Sequence, residues 1–243
     1  MDKPEEIIAR KLRQHSALEE KDVGALASLP YRIRSLQPGE SFAAAGDEPD
    51  TCAVVLDGLA GRYVELEEGH RQYISFHFRG EWPGAHAVFQ GKLDHAACAM
   101  GAAQIALIGK KELMAVCIAR PSLGFALWRE SLADAVLSRQ TILNIGGRST
   151  LSRLAHLLCE LYVRSRAAGV AKIGSCTLPL TQESLAAALG MSLVTLNRTM
   201  QALRRTNAVE FRTGSLMLQD FPKLARIGGF DPACLHLSAL PRL

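Results

Sequence analysis

The six cysteines of this 243-residue chain never come close together. They stand at Cys52, Cys98, Cys117, Cys159, Cys176 and Cys234, and the nearest two are 17 positions apart. Without a C-x-x-C there is no zinc ribbon, thioredoxin-like site or cluster-binding run. Scattered thiols of this kind are expected to be reduced and mostly buried, as free cysteine usually is. Long apolar runs are also missing. No segment offers 18 uninterrupted apolar residues, and Met1 to Lys21 is rich in charge. That argues against a transmembrane helix and a signal peptide and makes a cytoplasmic location, with no membrane partner, the expectation. There is no internal repeat or low-complexity tract. A phosphate loop, a nucleophile elbow, an H-E-x-x-H and an H-x-H pair with a downstream Glu and His are all absent too. The chain therefore does not read as an enzyme.

What is present is an ordinary globular composition, 48% hydrophobic and 21% charged, enough for one large domain or two smaller ones. The net charge of +4 is unevenly spread. Residues 148–243 hold 12 Lys and Arg against 5 Asp and Glu, while residues 1–147 hold 16 against 19. A basic C-terminal part beside a mildly acidic remainder is what a polyanion-binding module produces.

From about Val23 to Leu113 short apolar runs alternate with turn residues. Cys52 to Leu56 is followed by Asp57-Gly58, and Tyr63 to Leu66 by Glu68-Gly69. In the run Gln72 to Phe78, Tyr73, Ser75 and His77 alternate with Ile74, Phe76 and Phe78. Strand-length pieces recurring about every ten residues, with Asp-Gly as a hairpin signal, predict a small antiparallel barrel or sandwich. Gln104 to Gly109 reads as a late strand, and Lys110 to Ala119 as a short helix stopped by Pro121. From Ser122 the period changes. Leu123, Leu127, Leu132, Val136 and Leu143, broadened by Phe125, Trp128 and Ile142, predict a long amphipathic helix broken at Gly146-Gly147. Its apolar face has two uses, packing on the barrel or pairing with a second copy. Another helix is predicted from Ser149 to Arg166, with Gly169 as its C-terminal cap.

The most informative stretch is TQESLAAALGMSLVTLNRTMQALR, residues 181–204. Thr181 suits an N-cap, and Leu185 and Leu189 share a face. Gly190 permits an abrupt left-handed stop, after which Ser192 caps a second helix with Leu196, Met200 and Leu203 on its apolar side. Two short helices around such a turn form a helix-turn-helix. The opposite face carries Val194, Thr195, Asn197, Arg198 and Gln201, residue types that meet base edges in the major groove. Thr181, Gln182, Ser192 and Arg204 complete the expected DNA-contacting set, Arg204 and Arg205 being placed for phosphates. Val209 to Leu218 reads as two strands around Thr213-Gly214, the wing of a winged helix.

From residue 151 to 232 these features resemble the DNA-binding domain of the Crp/Fnr family, the relatives of the cyclic AMP receptor protein. The order and length of the preceding elements extend the resemblance over nearly the whole chain. It implies an α+β protein: an N-terminal cyclic-nucleotide-binding-like β-roll sensor with an N-terminal helix (residues 1–119), a long dimerisation helix (120–147) and a C-terminal winged helix-turn-helix (148–243). It also implies a homodimer that reads double-stranded DNA, touches RNA polymerase and is switched by a small effector. Where well-known members carry a Glu early in the recognition helix, this chain has Val194. The family Arg one turn later is matched by Arg198. Cyclic nucleotide binders of the family carry Gly-Glu-Leu and, later, an Arg followed by Ser or Thr. Here the run Gly80-Glu81-Trp82-Pro83-Gly84-Ala85 partly matches the first, and Asp94-His95-Ala96-Ala97, without Arg, stands at the second. An Asp there repels a phosphate, which argues against cyclic AMP. The N-terminal cysteine cluster of the iron-sulfur branch is absent.

Arg71, Gly80, Glu81 and His95 are therefore the expected effector-facing residues, with Arg79 beside them, and the effector is unassigned. His70, His77, His86 and His95 show no metal-ligand spacing, so no metal site is expected, while a haem ligand stays open. A ligand-free roll governed by abundance or protein contacts, and a cupin-like metal enzyme, are the competing readings.

Overall fold

The computed structural model describes residues 2–84, 86, 91–237 and 241. Ala85, which ends the loop run quoted above, lies outside them. Among the described residues no helix is long and apolar enough to cross a membrane. The chain forms two compact units, one built chiefly from residues up to Val64 and Phe76–Ala135, the other from Glu65–Ser75 and Val136–Leu235.

The first unit opens with helices Pro4–Leu12 and Glu20–Ala27 and then forms the predicted roll. The strands up to Gly109 are β1 (Tyr31–Leu36), β2 (Ser41–Ala43), β3 (Thr51–Asp57), β4 (Ala60–Glu65), β5 (Arg71–His77), β6 (Ala96–Ala99) and β7 (Ala103–Gly109), residues 65 and 71–75 of β4 and β5 being counted with the second unit. One sheet runs β1-β7-β3, the other β2-β6-β4-β5. β3 is apolar along both faces because both are covered. Cys52 and Val54 face the helices, in a core with Ile8, Leu12, Leu26, Ile108, Leu113, Leu123 and Leu127. Ala53 faces the roll interior with Leu36, Ala99, Ile105 and Leu107. This is the two-residue alternation of a pleated strand buried on both sides.

The turn at Asp57-Gly58 differs from the hairpin expected. β3 and β4 belong to different sheets, so this turn is a corner. Gly58 has φ +79°, and a Cβ there would lie 2.6 Å from the Ala102 carbonyl oxygen. Local turn chemistry thus marked the bend, while packing chose the partner strand. At Gly69 (φ +75°) the turn does join neighbouring strands, β4 and β5.

Helix Lys110–Ala119 is followed at once by the long helix Pro121–Gly147, 27 residues or about 40 Å. Pro121 therefore begins the long helix, where its missing N–H costs nothing, as well as ending the previous one. The predicted apolar stripe divides in two. Leu123, Ala126 and Leu127 are buried against the roll, whereas Phe125, Trp128, Leu132, Ile142 and Leu143 are exposed.

In the second unit helix Thr150–Ala167 is capped by Ser149, which accepts from the Ser152 N–H. Leu154, Leu158, Leu161 and Tyr162 are buried along it. It packs on helix Leu193–Arg204 and on the closing helix Phe221–Gly228. That second approach is close: a Cβ at Gly228 would lie 2.7 Å from the His156 backbone nitrogen. His156 itself is buried, and its Nδ1 lies 3.2 Å from the Gly228 carbonyl oxygen. Burial, aided by the Arg148 charge, lowers its pKa to about 4. The wing holds one strand more than expected. β8 (Ser175–Thr177), too short to register as a pattern, joins β10 (Ser215–Leu218) and β9 (Val209–Arg212) in the order β8-β10-β9.

Candidate nucleic-acid interface

The helix-turn-helix is assembled by its caps. Thr181 Oγ1 accepts from the Ser184 N–H at 3.1 Å and starts helix Gln182–Leu189. Gly190 ends it in the left-handed region, φ +59°. Ser192 Oγ then accepts from the Thr195 N–H at 3.2 Å and starts helix Leu193–Arg204. Each cap satisfies an N–H that has no partner inside its helix. Leu185 and Leu189 of the first helix and Leu196, Met200 and Leu203 of the second are buried. Arg153 braces the arrangement from the preceding helix. Its guanidinium donates to the Leu189 carbonyl at 2.8 Å and to the Ile145 carbonyl at 2.7 Å.

With the apolar side fixed inward, the other face of helix Leu193–Arg204 is left outward. Val194, Arg198, Gln201 and Arg205 lie three or four residues apart, on one side, and all are exposed, as are Ser192 and Asn197. Val194 is 69% exposed, more than core packing or helix capping requires of an apolar residue. Arg198 makes no hydrogen bond or ion pair among the described residues. Thr195 is more occupied. Its hydroxyl meets Ser192 Oγ at 2.9 Å, and its carbonyl accepts from Thr199 at 2.8 Å.

Arg204 sits differently from its neighbours. It is half-buried and donates to the Phe211 carbonyl, tying the recognition helix to β9. It also lines a groove of about 590 Å³ with Thr181, Gln182, Met200, Arg212 and Thr213. The groove brings the exposed start of the first helix to the wing tip. Arg212 and Thr213 were not among the sequence candidates, because only the fold of the wing brings them to Thr181. The wing turn is tight, with φ +49° at Thr213 and +75° at Gly214. This is the two-residue turn that fits a twisted hairpin. A Cβ on Gly214 would lie 2.9 Å from the Leu178 carbonyl oxygen.

The four residues expected to face an effector are not gathered by the structure. Arg71 is exposed and belongs to the second unit. Glu81 is buried and engaged: Oε2 accepts from the Phe78 N–H at 3.0 Å, and Oε1 lies 3.3 Å from Lys11 Nζ. Gly80 (φ +84°) admits the N-terminal helix, since a Cβ there would lie 2.7 Å from Lys11 Cβ. Lys11 also lies 3.4 Å from Glu130 of the long helix. Burial, together with the nearby Glu81 charge, raises the pKa of Glu130 to about 7. Arg79 pairs with Asp2 at 3.1 Å. His95 is buried, and burial first, then the Arg62 charge, holds its imidazole below its ordinary pKa. All six cysteines are free, and burial raises Cys52 to about 12 and Cys176 and Cys234 to about 11.

Residues 152–227 match the model of the Crp-like helix-turn-helix domain, and residues 33–120 that of the cyclic nucleotide-binding domain. The chain is similar to the nitrogen fixation regulation protein FixK of Rhizobium meliloti, 27% identical over 75% of this chain and 80% of that protein. It is also similar to the transcriptional activator protein FnrL of Cereibacter sphaeroides, 24% identical over 88% and 86%. Its fold resembles the solved structure of FixK2 from Bradyrhizobium japonicum, with a TM-score of 0.73 and 20% identity over 82% of this chain and 98% of that one.

Proposed function

This chain belongs to the Crp/Fnr family of DNA-binding transcription regulators, and on that premise we propose that it acts as a homodimer reading a two-fold symmetric site, switched by a small effector sensed in the roll. It is a regulator and not an enzyme. The observation that carries the proposal is the outward stripe Val194, Arg198, Gln201 and Arg205, with Asn197, on a helix held by its Ser192 cap. Arg198 is placed to donate two bonds to guanine O6 and N7, and Asn197 to pair with adenine. Val194 accepts no hydrogen bond, so a thymine methyl is its partner. Thr181, Gln182, Arg204 and Arg205 face phosphates, Arg204 through the share of its guanidinium not spent on Phe211.

Pairing of two copies is supported by the long helix. Phe125, Trp128, Leu132 and Ile142 fall at heptad positions on one continuous helix and are exposed, Phe125 by 62% and Ile142 by 70%. Ala135 and Arg139 fill the positions between, and a charged residue inside such a seam sets register at some cost in stability. An apolar face of this length is covered by a second copy of itself in a parallel coiled coil. The sensor, dimerisation and DNA-binding divisions at 1–119, 120–147 and 148–243, the cytoplasmic location and the contact with RNA polymerase are part of the same proposal.

The test is binding-site selection from random duplex DNA by the purified protein at stated salt. A palindromic consensus with half-sites about one helical turn apart is expected. Weak, salt-sensitive binding without sequence preference, at every effector condition tried, would refute it.

A further inference from the structure

Three polar side chains of the first unit come together although the sequence shows no metal-ligand spacing. His86, Asp94 and His95 each place a ligand-capable atom within 4.8 Å of the other two. Asp94 Oδ1 lies 3.4 Å from His86 Nε2 and 2.7 Å from His95 Nδ1. The two imidazole centroids are 5.1 Å apart. His95 is only 2% exposed, and it is His95 Nδ1 and His86 Nε2 that face the Asp94 carboxylate. Two imidazole nitrogens converging on one carboxylate oxygen form a ready donor set.

We propose that His86, Asp94 and His95 bind a divalent late first-row transition ion, of which Zn²⁺ is the representative, through two imidazole nitrogens and one carboxylate oxygen. The donor set selects the class, because hard cations such as Ca²⁺ and Mg²⁺ take oxygen ligands. Metal–ligand distances of about 2.0–2.2 Å in a tetrahedral site put neighbouring ligand atoms roughly 3.4 Å apart. The Asp94–His86 separation already has that value. The Asp94–His95 contact opens by about 0.7 Å when a metal replaces the hydrogen between them. Three protein ligands leave a position for solvent, the pattern of an exchangeable site, and the exposed Asp94 gives the ion a way in.

The inference rests on the regulator reading and names its class of signal. β6 begins directly after His95 and pairs with β4, with Ala97 opposite Arg62. Arg62 is buried, and its Nη2 lies 2.6 Å from Asp134 Oδ1 on the long helix. A dication held by His95 adds a like charge within reach of the Arg62 guanidinium, which Asp134 already holds. The site is thereby coupled to the helix that bears the exposed apolar stripe.

The full-length protein, stripped with chelator, is titrated with Zn²⁺ by calorimetry and with Co²⁺ by visible absorption. One equivalent is expected to bind, with Co²⁺ bands typical of a four- or five-coordinate site. His86→Ala and His95→Gln should each weaken binding at least tenfold. No binding, or binding equally tight in the variants, overturns the proposal. His86→Ala changes only a half-buried loop side chain, so it decides the matter even where His95→Gln fails to fold. Site selection is run in parallel with chelator and with Zn²⁺. A palindromic consensus without metal binding removes the metal site alone, whereas no consensus in either condition removes the regulator reading.

Discussion

Arg198→Ala should cost specific DNA binding and leave the fold intact. Arg198 is exposed and has no protein partner among the described residues, and alanine is at least as good a helix former. A bidentate arginine–guanine contact discriminates by about 1–3 kcal/mol. A dimer on two half-sites makes it twice, so affinity for the consensus should fall by about 2–6 kcal/mol, roughly 30-fold to 20,000-fold. A scrambled duplex should lose far less, and the salt dependence should barely change. Arg204→Ala is the contrasting variant, because it removes the charge-assisted bond to the Phe211 carbonyl. That bond stabilises by about 1.5–3 kcal/mol, and the melting temperature should drop by several degrees. If its guanidinium also reaches a phosphate, binding should weaken on both duplexes and the salt slope should become shallower by about one per half-site. Anisotropy titrations at several salt concentrations, with thermal unfolding alongside, separate these cases. Equal loss on consensus and scrambled DNA with a shallower slope would make Arg198 a phosphate contact. A lowered melting temperature for Arg198→Ala would make it structural, and either result refutes the base-reading argument.

Gly228→Ala would set a methyl 2.7–3.0 Å from backbone atoms of Ala155 and His156, none of which can swing aside. Overpacking should outweigh the helix propensity gained, a net loss of about 1–2 kcal/mol in chemical denaturation, while Gly24→Ala, with nothing near its Cβ, should gain about 0.5–1 kcal/mol. His156 titrates near 4 when folded and near 6.5 when unfolded, so its contribution is complete above pH 6.5 and is lost as pH falls toward 4. The loss is ~3 kcal/mol at most, and His156→Gln should flatten that window of the stability profile. Glu130 has the opposite sign: its folded pKa, about 7, lies above the ordinary 4.5, so its contribution is complete below pH 4.5 and is lost as pH rises through 7. Glu130→Gln should therefore be more stable than the parent at pH 8, leaving Lys11 paired with Glu81, and a variant less stable there would refute the assignment.

Much of this was legible because it is local. Caps at Thr181 and Ser192 and the stop at Gly190 depend on backbone chemistry within four residues, and the structure places all three as the residues imply. The same locality explains the failures. Asp57-Gly58 announces a bend equally well for a hairpin or a corner, and only the pairing of β3 with β7 makes it a corner. The period of the long helix gave an apolar stripe but not its division between Leu123 and Leu127, packed on the roll, and Phe125 and Trp128, left outside. For Arg204, expected to face phosphates, nothing in the sequence says that β9 returns beside it and takes up part of its guanidinium. Spacing along the sequence does not show that His86, Asp94 and His95 come within 4.8 Å of one another, because they meet only in the folded chain.

The roll also shows why an anionic effector faces resistance here. Glu81, which the partial match to the family's cyclic nucleotide binders would set at the ribose, lies buried beside Lys11, which it shares with Glu130. Withdrawing it would break a buried ion pair and the bond from the Phe78 N–H. At the second position Asp94 contributes a negative charge. The positive charge on β4 is Arg62, and Asp134 already holds it at 2.6 Å. An anion entering the roll must therefore compete with a carboxylate of the long helix, and success would break a link between roll and helix. A cation bound near Asp94, as proposed, would leave the Arg62–Asp134 pair in place. The Arg62–Asp134 pair is thus the contact through which the charge of a bound ligand would reach the long helix.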